Sequence, residues 1–143
     1  MFRHLLVPID CTEDSRRLAA ALAQFAAPMV PCKITLVAAV TPIEDEVLRS
    51  KRRHHADSAL IAIHHRLQED GIWTRTRVVE GKDHIAAFVA EGAQAKELYD
   101  LIVLGTHQTL PESLEAPCLG SFADRLSQRT SLPVIVLPSR YAK

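Results

Sequence analysis

The 143-residue chain is 48% hydrophobic, enough for one domain over residues 1–143 to bury a core without metal or disulfide staples. Its 17 Lys and Arg balance 17 Asp and Glu, which excludes a global field that would draw nucleic acid or an anionic membrane to the surface. No apolar run approaches the roughly 18 residues of a membrane span, so no membrane insertion is expected.

In chain order, the first apolar run is His4 to Ile9. The opening Met1-Phe2-Arg3-His4 leads straight into it and lacks the longer apolar region of a signal peptide. Thr12 or Asp14 is positioned to cap a helix that runs through the alanine-rich segment to just before Pro28. A second run, Lys33 to Val40, precedes a long charged segment from about Glu44 to Asp70, with Gly71 as its stop. The apolar stripe Ala59-Leu60-Ile61-Ala62-Ile63 lies in the second half of that segment, so its first half should be the more exposed. The third run, Trp73 to Val79, alternates, with Arg75 and Arg77 on one face, and therefore belongs at a sheet edge. A helix from about Asp83 to Leu98, a strand Leu101 to Gly105, a helix from about Ser121 to Ser131 and a strand Pro133 to Leu137 complete the chain. Strands alternating with helices, and runs apolar enough to be covered on both sides, predict an α/β fold: an open, doubly wound, five-stranded parallel sheet, order 3-2-1-4-5, with helices on both faces.

In such a sheet, ligands bind beyond the carboxyl ends of the strands flanking the switch in strand order. Asp10 and Gly105 close strands one and four. The aspartate can accept hydrogen bonds from a ribose or a base, the glycine allows close approach to the backbone, and Gly120-Ser121 opens a helix with free N–H groups suited to phosphate. Each residue also has a plain structural reading: Asp10 as a cap, Gly105 as a turn, Gly120-Ser121 as a helix start. The combination favours the ligand. Neither G-x-x-x-x-G-K-[ST] nor G-x-G-x-x-G occurs, which argues against a P-loop NTPase and a dinucleotide fold.

Three segments carry a family resemblance across nearly the whole chain. They are Leu5-Leu6-Val7-Pro8-Ile9-Asp10, Ile34 to Val40 followed by Pro42, and Asp100-Leu101-Ile102-Val103-Leu104-Gly105-Thr106-His107 continuing through Leu119-Gly120-Ser121-Phe122-Ala123 to Leu132-Pro133-Val134-Ile135-Val136. In order and spacing they resemble the universal stress protein family, whose fold is adenine nucleotide alpha-hydrolase-like. The resemblance implies an ATP- or AMP-binding regulatory protein of the stress response, a sensor rather than a fast enzyme. It implies that Pro8, Asp10, Ala39 and Leu104 surround adenine and ribose, that Gly105, Gly120, Ser121 and Phe122 line the phosphate path, and that Thr106 and His107 belong to the same nucleotide site, His107 either meeting phosphate or packing in the loop. It also implies a homodimer through the last strand, 133–138, whose apolar edge would otherwise be exposed.

The sequence departs from the nucleotide-binding pattern of G-x-x-G, nine residues, then G-[ST]. Gln108 replaces the second glycine and the following stretch is longer by about two residues. Glu112 and Glu115 bring two carboxylates into a loop without Lys or Arg, which repel a triphosphate unless they face away or hold Mg²⁺. The alternative is a nucleotide-free interaction module whose 108–118 loop meets an unknown protein partner. No general base, lysine clamp or arginine finger is evident for phosphoryl transfer, leaving at most slow ATP hydrolysis.

Other features read as structural. His54 and His65 lie three helical turns apart and cannot share one zinc ion. The basic run Arg49-Ser50-Lys51-Arg52-Arg53 is flanked by Glu44, Asp45, Glu46 and Asp57 and suits a solvated helix end. Cys11, Cys32 and Cys118 are widely spaced with no C-x-x-C pair, which points to a reducing cytoplasm and to Cys11 as packing rather than a redox thiol.

Overall fold

The five apolar runs form five parallel strands in the computed structural model, which describes residues 2–9, 15–105 and 121–137. The strands are β1 (His4–Ile9), β2 (Lys33–Val40), β3 (Trp73–Glu80), β4 (Leu101–Gly105) and β5 (Val134–Leu137). Their order is β3-β2-β1-β4-β5, every neighbouring pair being parallel. The helices are α1 (Ser15–Ala26), α2 (Glu46–Glu69), α3 (His84–Gly92) and α4 (Ser121–Arg129), with a 3₁₀ turn over Ala27–Met29. Among the described residues no helix is long and apolar enough to cross a membrane.

Alternation along the strands sorts the core into two layers. Leu5, Val7, Ile34, Leu36, Leu101 and Val103 meet Leu18 and Leu22 of α1 and Leu60, Ile63 and Leu67 of α2. On the other face Leu6, Val37, Ile102 and Leu104 meet Ile85 and Phe88 of α3 and Phe122 and Leu126 of α4. Both faces of β1 and β4 are therefore covered, the reason those strands read as nearly continuous apolar runs.

The long helix behaves as its composition requires. Asp45 caps α2, its Oδ1 accepting from the Val47 and Leu48 amides at 2.9 and 3.3 Å. Ala56, Leu60, Ile63 and Leu67 are its buried residues, whereas positions 46–55 are exposed. Arg49 and Arg53 reach back to Glu80 at the end of edge strand β3, at 3.2 and 3.3 Å. Gly71 follows with a φ of 75°, a left-handed conformation that glycine adopts without a Cβ penalty.

The third helix differs from its sequence expectation. It stops at Gly92 rather than at Leu98. A Cβ at Gly92 would lie 3.3 Å from both Leu6 and Leu132, so the chain is pressed against the sheet there and leaves the helix. Glu97 and Tyr99 then turn inward to polar partners on β3 and α3, and Leu98 between them is forced to a φ of 55° and is 77% exposed. A leucine in that region costs about 1–3 kcal/mol and persists only where its surroundings over-determine it. The remaining differences are small. α2 begins at Glu46, α4 ends at Arg129, β3 extends to Glu80, and β5 begins at Val134, after Pro133, which has no N–H to give the ladder. Thr12 and Asp14, the expected caps of α1, lie outside the described residues.

Candidate functional site

The carboxyl edge of the sheet is where the strand order switches, between β1 and β4. β1 stays paired with β2 through Ile9↔Ala38, whereas its register with β4 is Leu5↔Leu101 and Leu6↔Ile102. Residue chemistry explains the difference. The Arg3 carbonyl accepts from Lys33 of β2, and the His4 carbonyl from Asp100 just before β4. By alternation, even-numbered residues of β1 address β4, and Pro8 has no N–H to offer it. The amide ladder between the two strands is thus interrupted at Pro8, at the switch point of strand order.

Pro8, Ala39, Leu104 and Gly105 are brought together on this edge, near the ends of β1, β2 and β4. Pro8 and Leu104 are buried and Ala39 and Gly105 half-buried. Gly105 does not have a positive φ; among the described glycines Gly71 alone does. A Cβ on Gly105 would sit 3.4 Å from Leu18 Cδ1 of α1, an ordinary contact. Among the described residues, neither backbone strain nor packing therefore demands glycine at 105. Phe122 is the second residue of α4, and its ring is buried edge-to-face against Phe88 with centroids 5.9 Å apart. Ser121 opens α4. Asp10, Thr106, His107 and Gly120 lie outside the described residues, as does the 108–118 loop.

Two contacts fix the neighbouring helices. Thr41, just past β2, hydrogen-bonds His84 at the start of α3 at 3.0 Å. Asp83 caps α3, accepting from the Ala86 amide at 3.1 Å, and also accepts from Arg129 of α4 at 2.9 Å. The Arg129 hydrogen bond, followed by the Ala86 amide, holds the Asp83 carboxyl below its usual range.

The opposite end of the sheet carries a polar assembly that sequence reasoning did not find. His4, Thr35 and Arg75 lie on one face of β1, β2 and β3, where they meet Glu97 and Tyr99 of the α3–β4 connection and Glu91 of α3. His4 Nδ1 is 2.6 Å from the Glu97 carbonyl, which can only accept, so Nδ1 carries the proton. Arg75 Nε donates to Thr35 Oγ1 at 3.1 Å, leaving the hydroxyl to donate to His4 Nε2 at 2.8 Å. This arrangement suits a neutral imidazole, and burial lowers the His4 pKa. Arg75 also donates to Glu97 and to Tyr99, and Arg77 to Glu97 at 3.3 Å. The paired arginines of the third run gave the one sequence signal for this assembly; nothing marked Glu91 as their buried partner.

The all-parallel sheet in this order, with helices on both faces, is that of an α/β protein of the adenine nucleotide alpha-hydrolase-like class. The family model of the Universal stress protein family matches residues 1–138. The chain belongs to the universal stress protein family. Among solved structures it is similar to a universal stress protein family member from Burkholderia pseudomallei, with 21% identity, 96% of each chain covered and a TM-score of 0.72. It is also similar to a universal stress protein in complex with cAMP, at 20% identity over 96% of this chain and 98% of that one, TM-score 0.70. An Arabidopsis thaliana member with AMP bound matches at 14% identity over 95% and 91%, TM-score 0.68. No curated protein matches.

Proposed function

We propose that the chain binds an adenine nucleotide, ATP or AMP, at the switch point beyond the carboxyl ends of β1 and β4, as a cytoplasmic regulatory protein of the stress response. The switch in strand order between β1 and β4 carries this reading, because it sets Pro8, Ala39, Leu104 and Gly105 together on the carboxyl edge of the sheet, where open α/β sheets take their ligands. Family relatives crystallised with cAMP and with AMP support the adenine class. Pro8, Asp10, Ala39 and Leu104 would enclose adenine and ribose; Gly105, Thr106, His107, Gly120, Ser121 and Phe122 would follow the phosphates, with Phe122 contributing its backbone because its ring is in the core. Nucleotide binding then favours one conformation that a partner reads, by linkage.

Isothermal titration calorimetry of nucleotide-stripped protein with ATP, AMP and GTP in Mg²⁺ tests this reading. Saturable, adenine-selective heats that vanish in Gly120→Glu are expected, since that change puts a side chain and a negative charge into the phosphate path. Absence of binding up to millimolar ATP would reject it in favour of an interaction module working through the 108–118 loop.

We further propose a homodimer through the last strand. β5 stands at one edge of the sheet with Val134, Ile135 and Val136 half-buried, and such an edge is a template for a second copy. Val136→Lys should shift the protein toward monomer in sedimentation velocity; an unaltered dimer would place the interface elsewhere.

A further inference from the structure

At the amino-terminal edge of the sheet, opposite the nucleotide site, a groove of about 890 Å³ is bordered by Phe2, Val30, Pro31, Trp73 and Leu98. Its size is that of a small-molecule site, and its walls are mainly apolar. Six large apolar side chains are exposed among the described residues, and three of them, Val30, Trp73 and Leu98, line this one groove. Such clustering marks a binding surface more than scattered single exposures do. Leu98 is moreover held outward in the left-handed region, because Glu97 and Tyr99 on either side of it are tied into the polar assembly.

The charges around the groove select its occupant. Arg3 and Lys33 both line it, and neither forms an ion pair among the described residues. Strand register sets them side by side: the Arg3 carbonyl accepts from the Lys33 amide at 2.8 Å, and Lys33 is the ladder partner of Trp73. Lys33 Nζ stands 5.4 Å from the Trp73 ring centroid. The two carboxylates at the groove are already engaged. Asp100 accepts from the Arg3 and His4 amides at 2.7 and 3.1 Å, and Glu97 is taken by Arg75 and Arg77. An apolar trough with two cations at its rim, both without an ion pair among the described residues and one of them over the Trp73 ring, complements a molecule with an apolar body and one anionic head.

We infer that this groove is a second binding site, independent of the nucleotide site, for a small amphipathic carboxylate such as a medium-chain fatty acid. The apolar chain lies against Trp73, Val30 and Leu98, and the carboxylate meets Arg3 and Lys33. The site lies roughly 20 Å from the switch point, about the length of one strand of this sheet.

Trp73 is the only tryptophan in the chain, so its fluorescence reports on this groove. Titration with decanoate below its micellar range should give a saturable change, unaltered by Gly120→Glu. Decyltrimethylammonium, of equal chain length and opposite charge, should give none. The double variant Arg3→Glu/Lys33→Glu, at two exposed positions, should weaken decanoate binding at least tenfold with an unchanged circular dichroism spectrum. Leu98→Gly, which suits a φ of 55°, should weaken it severalfold without lowering the melting temperature. A non-saturable response, equal binding of the ammonium probe, or indifference to charge reversal would overturn the site. So would a response confined to phosphatidylglycerol vesicles, which would make the patch a membrane contact.

Discussion

Replacing Glu91 by alanine is expected to destabilise the fold by about 2–4 kcal/mol, because it leaves the buried Tyr99 hydroxyl without its acceptor and takes from Arg77 one of its two carboxylates. The Glu91 side chain is 1% exposed. One oxygen accepts from Tyr99 Oη at 2.7 Å, and the other lies 3.4 Å from Arg77. Arg77 is about one-third exposed and retains Glu97, so water and the second carboxylate soften its loss, and the estimate falls short of that for a fully buried pair. Tyr99 has less recourse. Burial and then the bond to Glu91 push its phenol up to about 12, so the neutral phenol is the form that the fold selects. Because the folded value lies above the ordinary 10, this group's contribution is complete below about pH 10 and disappears as pH rises through about 12. Urea unfolding at pH 7 should show the 2–4 kcal/mol loss for Glu91→Ala and about 1 kcal/mol for Glu91→Gln, whose amide oxygen still accepts from Tyr99. A loss below 1 kcal/mol for alanine would mean that the assembly contributes no stability.

Glu91 also shows where sequence reading ended. The strands were legible because β1, β2 and β4 are buried apolar runs, because β5 is an unbroken apolar run at an edge, and because the alternation of Trp73, Arg75 and Arg77 marks the other edge. Boundaries set by local chemistry were legible too, as with Asp45 and Gly71 at the ends of α2. The end of α3 was not. Residues 93–98 carry no proline and read as helix; what turns them out is tertiary, the close approach of Gly92 to Leu6 and Leu132 and the pull of Arg75 and Arg77 on Glu97. A glutamate on a helix ordinarily reads as a solvated residue. Glu91 is buried only because two arginines of a strand distant in sequence reach it or its neighbours, a pairing that no local period announces.

The site shows the same division. Pro8 stands out in the sequence through a family resemblance, whereas the direction in which its missing N–H would point, toward β4, follows only from the Arg3 and His4 carbonyls. Phe122 was grouped with the phosphate path, yet its ring packs on Phe88. Sequence adjacency to Gly120-Ser121 does not say which way the side chain of a helix faces; the 3.6-residue period, with Leu126 four positions on, does.

That spacing leads to the second large effect, an expected loss of about 3 kcal/mol in Leu126→Ala. Leu126 is fully buried, and with Phe122 it forms the apolar stripe that seats α4. Truncating a leucine in such a position removes its transfer free energy and leaves a cavity, within the 2–5 kcal/mol usual for the change. The helix has nine residues, too few to persist alone in water, and its other side-chain tie, Arg129 to Asp83, is an exposed pair that solvent screens. The damage should therefore concentrate locally. Hydrogen exchange should speed up first in α4, while β1 and β2 keep their protection. If the start of α4 receives the nucleotide phosphates, ATP affinity must fall with the population of docked helix, whereas decanoate binding at the far edge should remain. Loss of both ligands together would show that α4 and the sheet open as one unit, and retention of ATP affinity despite accelerated exchange in α4 would remove that helix from the nucleotide site.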